Sequence, residues 1–308
     1  VNASTQIPLV AVIATGGTIA SRKGTDGAAS PALTGRDLLD LLPPMQVRLR
    51  AVELLAKDSS SLTLSDMQLV SDAVGAQLAD PAIAGVVILH GTDAMEETAL
   101  LVRLQHGAAK PVVFTGAQFS ADSAQPDGPG NLADAIHAVL DGGDGVRLAF
   151  GGRLLPVWGL YKHASDRAEA FALAGGQAPA LPALPASVAG LRVDIVALHP
   201  GADALHLNAS IAVDAKGIVL AALGSGNTTA EVVAAVARAT AAGIPVITSS
   251  RVPEGVLAPA YGGGGGGHDL MAAGAIHSRW LRPGQARILL AALLANGATH
   301  GQILRAFA

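Results

Sequence analysis

Short, continuous apolar runs alternate with longer amphipathic stretches along the first half of the chain. Residues 7–14 (IPLVAVIA), 84–89, 111–115 and 146–150 read as buried strands, and residues 65–78, 95–104 and 131–140 carry apolar positions at helical spacing. Continuous apolar strands separated by helices predict a parallel sheet covered on both faces, hence an α/β fold. In open sheets of this kind ligands bind beyond the carboxyl ends of the strands, near helix N-termini. The chemistry is therefore to be sought at residues 15–18, 90–93, 115–118 and 151–162.

Residues 172–189 are rich in Ala, Pro and Gly with almost no charge, and read as a linker. Beyond it, residues 193–198, 217–223 and 244–248 predict strands, residues 229–242 a helix, and residues 283–308 a helical end. The expected organisation is a two-domain α/β chain. A larger N-terminal parallel-sheet domain (flavodoxin- or Rossmann-like) spans 1–171 and carries the chemistry; the linker spans 172–190; a smaller C-terminal α/β domain spans 191–308. No repeat of fixed period is visible. Six consecutive glycines, Gly262 to Gly267, predict a mobile loop.

Composition narrows the function classes. The net charge is −4 without any Lys/Arg cluster, and aromatics are 3% of the 308 residues, so neither an electrostatic footprint for nucleic acid nor a stacking platform for bases is present. Every apolar run is broken before about 18 residues, so no membrane span is expected. Cysteine is absent, which removes disulfides, thiolate metal sites and cysteine nucleophiles together. A small-molecule substrate is the expectation. The first residues show no basic-then-apolar leader, and the expected compartment is the cytoplasm, or the periplasm or exterior had a leader been removed.

Four segments could carry chemistry, and each has a plain alternative. Thr15-Gly16-Gly17-Thr18 ends a strand in two glycines, which permit close backbone approach to a ligand, yet it could be an ordinary turn. In His90-Gly91-Thr92-Asp93-Ala94-Met95-Glu96-Glu97-Thr98, Asp93 and Glu96 have the spacing of a capping box that starts a helix. That reading leaves the Thr92 hydroxyl and Gly91 unexplained. The serines of Asp58-Ser59-Ser60-Ser61 could be helix caps or could donate to a carboxylate. Lys162, behind Tyr161, could be a solvated surface charge; in a desolvated site a lysine can exchange a proton with a hydroxyl.

Taken in order, T-G-G-T-I-A, D-S-S, H-G-T-D-x-M-E-E-T-A, T-G-A and Lys162 resemble the bacterial L-asparaginase/glutaminase family. The resemblance continues through Asp127-Gly128-Pro129-Gly130-Asn131-Leu132, Gly224-Ser225-Gly226-Asn227 and Ser249-Ser250-Arg251-Val252-Pro253, and covers nearly the whole chain. It implies that Thr18 is the nucleophile and that Thr92, Asp93 and Lys162 complete the catalytic group. It also implies that Ser59 binds the substrate α-carboxylate, Asp93 the α-amino group and the Ala117 carbonyl the side-chain amide. Asn227 is expected to come from a neighbouring subunit of a homotetramer built as a dimer of dimers. Backbone N–H groups at Gly17 and Thr92 would face the developing oxyanion. Ser60, also among the substrate-binding positions, stands where many relatives carry glutamine. The implied reaction converts asparagine to aspartate and ammonia with no cofactor and no metal.

One departure stands out. Family members usually carry a tyrosine in the loop after TGGTIA, acting with the nucleophile; residues 21–35 contain none, and the chain has only Tyr161 and Tyr261. Tyr161, beside Lys162, is the candidate substitute. Residues 21–35 are expected to order as a lid over substrate. Alternatives that stay open are a broader glutaminase-asparaginase, including D-asparagine or glutamine as substrate, and a low-activity or non-catalytic amino-acid-binding relative. A tRNA-linked amidotransferase subunit is disfavoured by the lack of a basic surface.

Overall fold

The computed structural model describes residues 7–23, 29–31, 33–107 and 109–308. The chain forms two compact units, one of residues 1–157 with 162–172, the other of residues 158–161 with 173–308.

The first unit is built on a six-stranded sheet. Its strands are β1 (Leu9–Ala14), β4 (Arg48–Glu53), β5 (Ile83–Leu89), β6 (Val112–Thr115), β7 (Val146–Phe150) and β8 (Arg153–Pro156), in the order β4-β1-β5-β6-β7-β8. All neighbours are parallel except β7 and β8, which pair antiparallel across the Gly151-Gly152 turn. A small antiparallel ribbon, β2 (Ser21–Lys23) with β3 (Ala29–Pro31), follows β1. The helices are α1 (Gly35–Leu39), α2 (Leu64–Ala79), α3 (Met95–His106) and α4 (Gly128–Leu140). One layer of core sets Val10, Val12, Val87, Leu89 and Val113 against Leu132, Ala135, Ile136 and Val139 of α4. The continuous apolar runs are those buried by this two-sided packing. Strand β4 (RLRAVE) is different: it sits at the edge with only half of its side chains shielded, so charged residues interrupt it and no apolar run announces it.

The second unit has a four-stranded parallel sheet, β11 (Val193–Ala197), β12 (Gly217–Ala222), β13 (Val246–Ser250) and β14 (Ile276–His277), in that order. Around it lie α5 (Leu205–Ala212), α6 (Ala230–Ala241), α7 (Gly267–Ala272), α8 (Pro283–Ala295) and α9 (His300–Phe307). The helical end is two helices, broken at Gly297 with φ +66° and restarted by a capping box of Thr299 with Gln302. Two short strands, β9 (Leu160–Lys162) and β10 (Phe171–Leu173), pair where the chain passes between the units. In the proline-rich segment after them, Leu184 and Val188 are buried. The glycine tract is not a loose loop: Asp269 accepts from the N–H groups of Gly264 and Gly266 at 2.8 and 2.9 Å, and Gly265 accepts from the Thr228 N–H at 2.7 Å. A side chain at Gly266 would collide with the Tyr261 carbonyl, which is one reason for glycine there. No described helix is long and apolar enough to cross a membrane.

Helix α2 starts at Thr63, not at the serines before it. Thr63 and Asp66 form the capping box, and Asp66 also accepts from Lys57 Nζ at 2.8 Å. The Lys57 hydrogen bond, then those from Thr63, hold the Asp66 carboxyl at about 2. A carboxylate depressed in this way adds stability above its ordinary pKa of 3.8 that is lost as pH falls through about 2. We expect Asp66→Asn to destabilise the protein at neutral pH and to flatten its acid-unfolding curve between those values. An unchanged acid limb of urea melts in the variant would contradict this.

Candidate active site

The site begins with glycines. Where β1 ends, Gly16 and Gly17 adopt φ of +95° and +87°, and a Cβ on Gly17 would lie 2.5 Å from the Gly91 Cα. A Cβ on Gly16 would lie 2.8 Å from the Lys57 carbonyl oxygen, and one on Gly91 would lie 2.5 Å from Ser59 Oγ. Three chain segments thus meet backbone to backbone, and only glycine allows it. The contact brings the turn carrying Thr18 against the turn carrying Thr92. Thr18 itself is half-buried and opens a single 3₁₀ turn, with Ser21 Oγ closing back on the Gly17 carbonyl at 2.9 Å.

Beyond β5, Thr92, Asp93 and Lys162 form one hydrogen-bonded group. Lys162 Nζ donates to Thr92 Oγ1 at 2.8 Å and to the Asp93 carboxylate at 2.7 Å. The lysine side chain is 22% exposed and that of Asp93 58%. Ser59 Oγ accepts from the Asp93 N–H at 3.0 Å, which ties the serine turn to the same group. The expected capping box of Asp93 and Glu96 does not form: α3 starts after Ala94 without a side-chain cap, because Lys162 takes the Asp93 carboxylate. The end of Glu96 turns inward instead, its Oε2 sealed from solvent. Burial raises its carboxyl to about 8; its own backbone N–H opposes the rise, the Glu97 charge adds to it, and Lys162 opposes it more weakly. His90 is fully buried, its Nδ1 2.7 Å from the Gly91 carbonyl, and burial lowers it to about 4. It is a neutral core histidine.

The third turn, after β6, is held by residues whose function was not evident from local pattern. Asp127 accepts from the N–H groups of Gln118 and Phe119 at 2.9 Å each. Asn131 donates to the Gly116 carbonyl at 3.0 Å and accepts from the Gly151 N–H at 3.0 Å. Ala117 is buried between these anchors, and the Gln118 side chain donates to the Ser165 carbonyl, just past Lys162. A Gly-Pro pair after an aspartate signals a helix start; that the aspartate and asparagine clamp a distant loop could not be read from spacing.

Of the anticipated residues, Gly17, Thr18, Ser59, Thr92, Asp93, Ala117 and Lys162 lie at the strand ends of the first unit. Ser60 is on the same short turn as Ser59 but faces solvent. Asn227 is in the second unit, in a tight bridge with Leu223, its Oδ1 buried without a hydrogen-bond partner among the described residues. Tyr161 does not join Lys162. Successive strand residues point to opposite faces, and its hydroxyl donates to Glu254 at 3.0 Å. Of residues 21–35, expected to act as a lid, 24–28 and 32 lie outside the described residues. Among the described residues no cluster of three or more His, Asp or Glu offers a metal site.

Comparison with known proteins fits this geometry. Residues 9–184 match the family model "Asparaginase, N-terminal" and residues 192–307 match "Glutaminase/Asparaginase C-terminal domain". A "Probable L-asparaginase" of Deinococcus radiodurans is 33% identical over 98% of this chain and 97% of its own length. An "L-asparaginase" of Bacillus licheniformis is 27% identical, covering 93% and 95%. The crystal structure of a "Probable Cytoplasmic L-asparaginase" from Campylobacter jejuni superposes with a TM-score of 0.85 at 26% identity, over 97% of this chain and 99% of that one. Fold and site thus define an α/β amidohydrolase. The chain belongs to the asparaginase family.

Two outcomes follow from this packing. Gly17 has φ +87° and ψ −176°, a region open essentially to glycine alone. Gly17→Ala adds that strain to the collision with Gly91 and should cost at least about 2 kcal/mol in a denaturant melt; a stability within about 0.5 kcal/mol of wild type would show that the turns are not so tightly joined. For Glu96, a carboxyl raised from 4.5 to about 8 favours folding fully below the lower value and loses that contribution as pH rises through the upper one. The thermal midpoint of wild type should therefore fall relative to Glu96→Gln across that range, and a pH-independent difference would contradict the burial.

Proposed function

We propose that this protein hydrolyses L-asparagine to L-aspartate and ammonia through an ester on Thr18. The observation that supports it most is the bond from Lys162 Nζ to Thr92 Oγ1, in a group whose glycine turn packs against the one bearing Thr18. A threonine hydroxyl is a weak nucleophile and needs a base, and a lysine charge beside a hydroxyl lowers the cost of ionising it. In the first half-reaction Thr18 Oγ1 bonds to the carboxamide carbon, backbone N–H groups at Gly17 and Thr92 take the oxyanion charge, and the C–N bond breaks. The hydroxyl proton leaves with the amine as ammonia. In the second, water activated through Thr92 and Lys162 attacks the ester, releasing aspartate and restoring the Thr18 hydroxyl.

Substrate recognition fits the same residues. The Asp93 carboxylate is open enough to take the α-ammonium, and Ser59 Oγ, which accepts from the Asp93 N–H, keeps its own proton for the α-carboxylate. The Ala117 carbonyl would receive the side-chain amide, and Asn227 of a neighbouring copy would complete the site in a homotetramer. Ser60, short and solvent-facing, leaves room for a longer amide, which makes glutamine the second substrate to try. The cytoplasm is the proposed compartment, from the likeness to the Campylobacter jejuni protein.

The test is ammonia release from L-asparagine, D-asparagine and L-glutamine by wild type, Thr18→Ala and Lys162→Met. Thr18→Ala should lose about a thousandfold or more in kcat, and Lys162→Met about a hundredfold or more. A Thr18→Ala protein that keeps most of its activity would exclude the ester route. Binding of asparagine by folded wild type without ammonia release would make the protein an amino-acid binder.

A further inference from the structure

We propose that residues 264–267, clamped by Asp269, form the seat of the turn that presents Asn227, and so are positioning residues for substrate binding. The inference rests on the reading above in which Asn227 completes the site of a neighbouring copy.

Asn227 belongs to a tight turn at the end of β12. Leu223 and Asn227 exchange both backbone hydrogen bonds, at 2.9 and 2.7 Å, and Gly224 and Gly226 take φ of +52° and +109°. Ser250 Oγ donates to the Gly224 carbonyl at 2.6 Å, which holds the near end of the turn to β13. The far end is held by the glycine tract, on both sides of Asn227. The Thr228 N–H donates to the Gly265 carbonyl at 2.7 Å, and a Cβ on Gly265 would lie 2.5 Å from the Thr228 carbonyl oxygen. On the other flank, a Cβ on Gly267 would lie 3.5 Å from the Gly226 carbonyl oxygen and 3.0 Å from His277 Nε2. One on Gly226 would lie 3.1 Å from the same nitrogen. The residues before and after Asn227 are therefore both packed against the tract, with the His277 ring wedged beside them. At Gly265 only glycine permits so close an approach.

A run of six glycines is costly to order, because glycine loses more backbone freedom than any other residue. The tract is ordered nonetheless, and the device is Asp269. A capping carboxylate needs only the N–H at the helix's N-cap, here Gly266. Asp269 takes the Gly264 N–H as well, at 2.8 Å, which bends the tract back on the carboxylate beyond what starting α7 requires. That extra bond fixes Gly265, which lies between the two donors and carries the carbonyl that receives Thr228. A binding group offered to another copy's site has to keep its place without support from that site, and a seat on rigid backbone supplies it.

The measurement is steady-state ammonia release from L-asparagine by the full chain, with a thermal melt of each protein. The proteins are wild type, Gly262→Ala, Gly265→Ala, Asp269→Ala, Asn227→Ala and the double variant Asn227→Ala/Gly265→Ala. Gly262 and Gly265 both lie outside the left-handed φ region, but a Cβ on Gly262 has Asp269 Oδ1 as its nearest contact, at 3.8 Å. Gly262→Ala should keep kcat and KM within about threefold of wild type. Gly265→Ala and Asp269→Ala should each raise KM about tenfold or more with kcat within about threefold, the signature of lost substrate binding. In the double variant KM should stay within about threefold of Asn227→Ala alone, because both changes act on one group. A merely structural role would move the melts and leave the two effects independent. Should Gly265→Ala fail to fold, Asp269→Ala carries the same expectation, alone and combined with Asn227→Ala. Folded Gly265→Ala or Asp269→Ala with wild-type KM would overturn the inference. So would full multiplication of the effects in the double variant, or a Gly262→Ala protein as impaired as Gly265→Ala. An Asn227→Ala protein with wild-type KM would remove Asn227 from the site, and this inference with it, while leaving the Thr18 ester in place. A wild type that releases no ammonia would overturn the hydrolase reading itself, and this inference too.

Discussion

The site depends on a steric constraint before it depends on any charge. Gly17 and Gly91 meet closely enough that a Cβ on the first would lie 2.5 Å from the Cα of the second. Strands β1 and β5 are sheet neighbours, so their carboxyl ends leave the sheet side by side. The two turns can then close on each other only if neither carries a side chain at the contact. Because the next residue on each turn is a threonine, the glycine contact fixes the separation of two hydroxyl-bearing segments more rigidly than a side-chain packing could. Ser59 enters by the same route, its hydroxyl filling the space a Gly91 side chain would need.

Electrostatics is built on that frame. Lys162 is bound to both Thr92 and Asp93, and it is mostly shielded from water, where a charge acts more strongly on a neighbouring hydroxyl. Shielding also makes the arrangement costly, and the fold offsets the cost with partners rather than with solvent. Asp93 takes the ammonium, and Ser59 orders the Asp93 backbone. His90 shows the contrasting case: equally close to the site but burdened only by burial, it stays neutral and packs against Phe114.

What could be read from the sequence follows from what each residue answers to. Strands buried on two faces are coded by their own apolar runs, so β5, β6 and β7 were visible within a residue or so, whereas β4 answers to a solvent-facing edge and shows no run. Helix α2 was visible by periodicity, but its cap was not: the serines were open to a capping or a carboxylate-binding reading, and the choice of Thr63 depends on Asp66, which also serves Lys57. The capping box expected at Asp93 failed for a related reason, since local spacing cannot register a lysine arriving from residue 162. The glycine tract looked free because glycines carry no pattern, and it is ordered by Asp269 through backbone groups that a sequence does not display. Thr18, Thr92, Asp93 and Lys162 became a set through resemblance to a family, whereas the geometry adds Asp127 and Asn131, whose partners include backbone groups of other turns.

The loop tyrosine that the family resemblance led us to expect has no substitute in Tyr161. Its hydroxyl donates to Glu254, and burial, then the bond and charge of that glutamate, hold the phenol above its ordinary value of 10. To take a proton from Thr18 it would first have to ionise beside a carboxylate, which is the least favourable place for a second negative charge. Tyr261 is 62% exposed, and its carbonyl accepts from His268. Among the described residues, the hydroxyl–ammonium contact available to the proposed reaction for proton transfer is that of Thr92 with Lys162.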